Sequence, residues 1–186
     1  MSLAIALLAA GGATRFGGGK LDADCAGKPL GRWALDAALG VPHERLAVVV
    51  AEPVPAFALD HELLINERAA QGLGTSAALA ARWAAGSEAL LILLADMPLV
   101  SAAMLTRLVE ANGPAAVAYP GNKPGAPASF PAALFGKLEA LTADSGAAHV
   151  LRGLANLTLI EAPAEELRDV DRLEDLADVA AILRPR

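Results

Sequence analysis

Leu3-Ala4-Ile5-Ala6-Leu7-Leu8-Ala9-Ala10-Gly11-Gly12-Ala13-Thr14-Arg15-Phe16-Gly17-Gly18-Gly19-Lys20 is the stretch whose reading decides the fold. The uncharged run up to Ala10 reads as a strand buried on both faces, the pattern of a parallel sheet covered by helices. It opens into a loop of five glycines, one arginine and one lysine. Glycines let a backbone approach a polyphosphate and aim successive N–H groups at it, while Arg15 and Lys20 add fixed positive charge. A strand that ends in such a loop predicts an anion site at the carboxyl edge of a sheet.

Spacing excludes two common phosphate loops. A Walker loop needs Gly, four residues, then Gly-Lys-Ser/Thr, whereas Thr14 stands at the first glycine's place and Leu21 follows Lys20. A dinucleotide fingerprint begun at Gly12 or Gly17 would need glycine at Thr14 or Asp22 respectively.

The remaining chain repeats the alternation of apolar runs and helical patterns. Leu46 to Ala51, Leu63 to Ile65, Ala89 to Ala95, Ala115 to Tyr119 and Leu157 to Ile160 read as strands. Helices are predicted over Pro29–Leu39, Ala77–Ala85, Ser101–Glu110 and Pro131–Leu141, with a last one ending near Leu183. The segment from Gly121 to Pro127, rich in Gly and Pro, is expected to be a surface loop. One α/β domain over residues 1–186 follows, a three-layer Rossmann-like architecture with a mostly parallel sheet.

Composition narrows the function. Fifteen Lys and Arg against 21 Asp and Glu give a net charge of −6, with no basic run, so no nucleic-acid footprint is expected. Cys25 is the only cysteine, which excludes an intrachain disulfide and a cysteine zinc site and suits a reducing cytoplasm. The run from Ala89 to Ala95 is far short of the roughly 20 residues needed to cross a bilayer, so no membrane partner is expected. His43 and His61 lack ligand partners at useful spacing, and a lone His149 on a helix is more often packing or surface than chemistry.

Two further segments bear polar groups where a ligand could use them. Gln71-Gly72-Leu73-Gly74-Thr75-Ser76 precedes an alanine-rich helix, and Thr75 or Ser76 could either cap that helix or help receive a phosphate or base edge. Asp96-Met97-Pro98 stands at the end of the most apolar strand, where a carboxylate could hold a divalent cation or merely cap the next turn.

Taken together, Leu8-Ala9-Ala10-Gly11, Arg15, Phe16, Gly17, Lys20 and Gly27-Lys28-Pro29-Leu30 resemble the signature of the nucleotidyltransferases related to molybdenum cofactor guanylyl- and cytidylyltransferases. The resemblance continues through Asn66, Gly72, Gly74 and Ser76, the Asp96-Met97-Pro98 turn, Gly125 and Pro127, Asp144-Ser145-Gly146-Ala147-Ala148, and Asp169-Val170-Asp171. It implies an enzyme that moves an NMP from an NTP onto a phosphorylated acceptor, releasing pyrophosphate. Arg15, Lys20 and Asp96 would be catalytic. Ala9, Ala10, Gly11, Gly12, Lys20, Asn66, Gly72, Gly74 and Ser76 would bind the nucleotide, and Asp96 and Asp171 would hold Mg²⁺. Ala9-Ala10-Gly11 is similar to the cytidylyl branch, which favours CTP over GTP and molybdopterin as acceptor. Two departures stand out: the family's usual arginine is Ala148 here, and its usual Thr-Pro is Arg172-Leu173. These keep a rival open, a nucleotide-binding protein without turnover, beside a sugar-phosphate or methylerythritol-phosphate nucleotidyltransferase.

Overall fold

The computed structural model describes residues 2–11, 16, 18–111, 113–142 and 145–184. In chain order the elements are β1 (Leu3–Leu8), a two-strand ribbon of β2 (Asp24–Cys25) and β3 (Lys28–Pro29), α1 (Leu30–Leu39), β4 (Arg45–Val50), β5 (Glu62–Ile65) and α2 (Leu73–Trp83). They continue with β6 (Ala89–Leu94), α3 (Ala102–Glu110), β7 (Ala115–Tyr119), β8 (Lys123–Pro131), α4 (Phe135–Glu139), α5 (Ala148–Leu151), β9 (Thr158–Ile160) and α6 (Leu173–Leu183). Seven strands form one sheet in the order β5-β4-β1-β6-β8-β7-β9, in which only β8 runs antiparallel to its neighbours.

Every residue of β1 is buried, which follows from its central place between β4 and β6 and from helices on both faces. Alternate side chains feed two apolar layers. Leu3, Ile5 and Leu7 pack with α1, α3 and α6, whereas Ala4, Ala6 and Leu8 pack with α2, α4 and α5. The chain leaves β1 toward β4 by way of α1 on one face and reaches β6 by way of α2 on the other. The carboxyl end of β1 is therefore a topological switch point, the crevice where open α/β sheets bind ligands.

Two regions depart from expectation. The Gly121–Pro127 segment is not a loop throughout: β8 begins at Lys123 and pairs antiparallel with β7. The register shifts between Ala116, opposite Ala128, and Val117, opposite Gly125, leaving Ala126 and Pro127 in a bulge. A bulge accommodates a residue that has no N–H to donate to a ladder. Gly125 lets the strand pass the Tyr119 ring, since a Cβ there would stand 2.4 Å from Tyr119 Cε2. Because β8 extends to Pro131, the helix expected from that residue is replaced by a 3-10 turn at Ala132–Leu134 and the short α4.

The second change is the start of α2, four residues earlier than periodicity indicates, with Gly72 as its N-cap. Gly74 thus lies inside the first turn, where helix propensity disfavours it. Packing supplies the reason: a Cβ on residue 74 would stand 2.4 Å from the Thr142 carbonyl oxygen and 2.6 Å from that of Ser145. Gly74→Ala is expected to destabilise the fold by about 2 kcal/mol through overpacking against backbone. That corresponds to a fall in Tm of roughly 4–8 °C for a chain of this size. A rise in Tm, as helix propensity alone would give, would show that this contact is not tight.

Candidate active site

Lys20 opens a single 3-10 turn, Lys20–Asp22, after Gly18 and Gly19, both of which have positive φ (98° and 62°). That left-handed passage suits glycine and turns the chain back under the sheet edge. The Lys20 side chain is only 10% exposed. It does not end in solvent: Nζ donates to Asp96 Oδ2 at 2.8 Å and lies 3.8 Å from Asp171 Oδ1. The cation of the first loop and the two acids expected from distant segments thus meet at one point.

Backbone bonds set that meeting. Ala9 donates to the Val49 carbonyl at 2.7 Å and Ala95 donates to the Leu8 carbonyl at 3.0 Å, so the chain beyond β1 stays clamped between β4 and β6. Val170 N–H donates to the Asp96 carbonyl at 2.9 Å, which draws residues 169–171 onto the end of β6. Asp175 accepts from the Asp171 and Arg172 N–H groups at 3.0 and 2.8 Å, capping α6. The absence of Thr-Pro before this helix therefore leaves its start intact.

Electrostatics mark the same point. Burial foremost, with the like charges of Asp96 and Asp171, raises the Asp169 carboxyl above its ordinary value, against the opposing pull of its own backbone N–H and of Lys20. Burial, then Asp169 and Asp96, push the Tyr119 phenol upward. Tyr119 was not legible as part of this neighbourhood, since an aromatic at the end of an apolar strand reads as core.

A cleft of about 600 Å³ opens beside Lys20, lined by Ala9, Ala10, Gly11 and Gly18–Asp22 on one side and by Ala51–Pro55 on the other. Asp22 ties those walls together, accepting from Ala56 N–H at 2.8 Å and Phe57 N–H at 2.9 Å. Sequence reasoning missed both Asp22 and the 51–55 wall, because a carboxylate after Lys20 and a Pro-rich stretch carry no signal until the turn is built. Arg15 and Gly12, predicted for this loop, lie outside the described residues, as do Gly17 and Asp144. Lys28 is committed elsewhere, bonded to Asp36 at 2.5 Å and stacked 3.6 Å from the centroid of the Trp33 ring.

Asn66, Gly72, Gly74 and Ser76 come together, but not in that cleft. The Asn66 amide is buried and donates to Thr75 Oγ1 at 2.9 Å and Ser76 Oγ at 2.8 Å, while its Oδ1 accepts from Arg68 N–H at 3.0 Å. Gly72 caps α2 and accepts from the Thr75 hydroxyl at 2.8 Å. The group braces the end of β5 to the start of α2, and Asn66 and Thr75 face a second, smaller cavity of about 190 Å³.

The donor set suits a hard divalent cation. Two carboxylates converge where an ammonium now stands, and among the described residues no three His, Cys, Asp or Glu side chains form a complete protein cage. That composition fits Mg²⁺, which takes one or two carboxylates and leaves its remaining positions to phosphates and water. No helix among the described residues is long and apolar enough to cross a membrane.

The chain aligns over 97% of its length with a nucleotidyl transferase from Methanothermobacter (97% of that chain, 21% identity, TM-score 0.83). It aligns over 97% with Mycobacterium tuberculosis Rv0371c in complex with manganese (99% of that chain, 21% identity, TM-score 0.76). A CMP:2-keto-3-deoxy-manno-octonic acid synthetase complexed with CTP matches over 98% of both chains at 14% identity and a TM-score of 0.74. These likenesses establish the fold, and among curated protein sequences none matches. The model of the MobA-like NTP transferase domain spans residues 5–162, which covers the glycine-rich loop, Lys20 and Asp96, and the chain accordingly belongs to that family of nucleotidyltransferases.

Proposed function

We propose that this chain, acting as one domain over residues 1–186, transfers a nucleoside monophosphate from an NTP onto a phosphorylated small molecule and releases pyrophosphate. CTP is the favoured donor and GTP the alternative, with Mg²⁺ as the metal, molybdopterin as the first acceptor to consider, and the cytoplasm as the compartment. The observation that carries the reading is the convergence of Lys20, Asp96 and Asp171 beside a glycine-lined cleft.

The triphosphate lies along Ala9–Gly11 and the exit of the loop, where backbone N–H groups and Lys20 meet its charge. Asp96 and Asp171 would hold Mg²⁺, which when bound neutralises phosphate charge and aligns the displaced groups. Lys20 then moves from the carboxylates onto the phosphates, keeping a cation beside the oxygens that gain charge. An acceptor phosphate oxygen forms a new bond to the α-phosphorus while the bond to the bridging oxygen of the leaving pyrophosphate breaks in line. No general base is required, because a phosphate monoester is already an anion near neutral pH.

The acceptor has a second reading with its own observation. Ala148, where the related enzymes carry arginine, lines an apolar cavity, which favours a different small phosphate monoester over a strongly anionic acceptor.

Asp96→Asn is expected to lower Mg²⁺-dependent pyrophosphate release about 10²-fold or more, as for loss of a group that stabilises developing charge. Full turnover in that variant would remove the metal role. Lys20→Ala should cost turnover on a similar scale of about 10²-fold, since its ammonium is the one described cation among the cleft residues. Nucleotide binding without pyrophosphate release across several acceptors would instead support the rival of a binding protein.

A further inference from the structure

Apart from the nucleotide cleft, and sharing none of its described lining residues, lies a cavity of about 180 Å³. Its walls include Leu8, Leu94, Phe130, Tyr119, Leu73 and Ala148, and none of the described residues lining it carries a charged side chain. The strand order separates the two spaces. The glycine-lined cleft sits over the ends of β1 and β4, whereas this cavity sits over β1, β6, β8 and β7. Asp96 follows β6 by two residues and Ala9 follows β1 directly, so the reacting phosphates would lie between them.

We propose that this cavity holds an apolar group of the acceptor, a ring or a branched alkyl chain joined to the phosphate that attacks. This rests on the nucleotidyltransferase reading and specifies its acceptor. Tyr119, a wall of the cavity, links it to the acids: its hydroxyl donates to the Ala126 carbonyl at 2.9 Å, its ring packs against Gly125, and it is near enough to Asp96 and Asp169 for both carboxylates to act on its phenol. With that hydroxyl already bonded, the cavity offers few partners to a polar ring, and unpaired polar edges would be costly there. Its size suits one aromatic ring, since a cavity of roughly 150 Å³ lined by Leu, Ile and Phe takes up benzene. Leu73, 46% exposed at the start of α2, keeps an apolar surface open to solvent at its rim.

Benzyl phosphate and glycerol 3-phosphate serve as probes, because both present a monoester and only one has a ring. By calorimetry on the intact chain, benzyl phosphate is expected to bind at least about tenfold more tightly, from burial of its ring. With CTP or GTP and Mg²⁺ it should also release pyrophosphate with the higher kcat/KM. Ala148→Leu, which fills the cavity, and Leu73→Asp, a change at a partly exposed position, should each remove that preference while leaving stabilisation by nucleotide unchanged. Equal binding of the two probes, or a preference that survives both variants, would overturn the inference and leave the nucleotide reading standing. Displacement of benzyl phosphate by nucleotide and Mg²⁺ would also overturn it, by assigning the cavity to the donor. No stabilisation by any nucleotide and no pyrophosphate with either probe would overturn the nucleotidyltransferase reading itself, and the inference with it.

Discussion

Lys20 joins three parts of the chain that are far apart in sequence. Its ammonium is held by Asp96, at the end of β6, and faces Asp171, ahead of α6. A lysine that is 10% exposed and set between carboxylates is satisfied only while both segments hold their places, so the order of the glycine-rich loop's exit depends on this contact. The same geometry stores the chemistry. Two acids pointed at one cationic position form a site that a divalent ion can take over, provided the lysine has phosphates to move to.

Small residues make the frame that holds this contact. Ala4 and Ala6 of β1 and Ala77, Ala80, Ala81 and Ala84 at α2 are fully buried, so sheet and helix approach closely on that face. Gly74 continues the tendency at the N-terminal turn of α2, and Gly125 does so where β8 passes Tyr119. Ile5, Leu7, Leu91 and Leu93 fill the other face against α1 and α3. The apolar cavity lies on the alanine-rich side, near Leu8, Leu94 and Phe130.

Much of this was legible because the decisive signals are local. β1, β4 and β6 are short apolar runs with clear ends, Lys20 follows a glycine run, Asp96 follows a strand's end and Asp171 stands ahead of the last helix, so all three could be singled out as candidates before their meeting was seen. What escaped depends on contacts that no window of sequence contains. Gly74 looks like a pre-helix loop residue until the carbonyls of Thr142 and Ser145 occupy the place of its side chain. The 123–131 segment looks irregular because Pro and Gly punctuate it, yet β6 and β7 supply partners on both sides and a bulge absorbs the misfit. Asn66 donates a hydrogen bond to Ser76, a brace that motif resemblance alone could not distinguish from direct contact with a ligand.

Thermal stability of the unmodified chain with CTP, GTP, ATP and UTP, each with and without Mg²⁺, tests the Lys20–Asp96–Asp171 site most directly. A nucleotide at about 100 times its dissociation constant adds roughly 2.7 kcal/mol. For a chain of this length that raises Tm by about 5–10 °C. The account predicts such a rise for CTP, or for GTP in its place, only when Mg²⁺ is present. An equal rise without the metal, or no rise with any of the four, would contradict it.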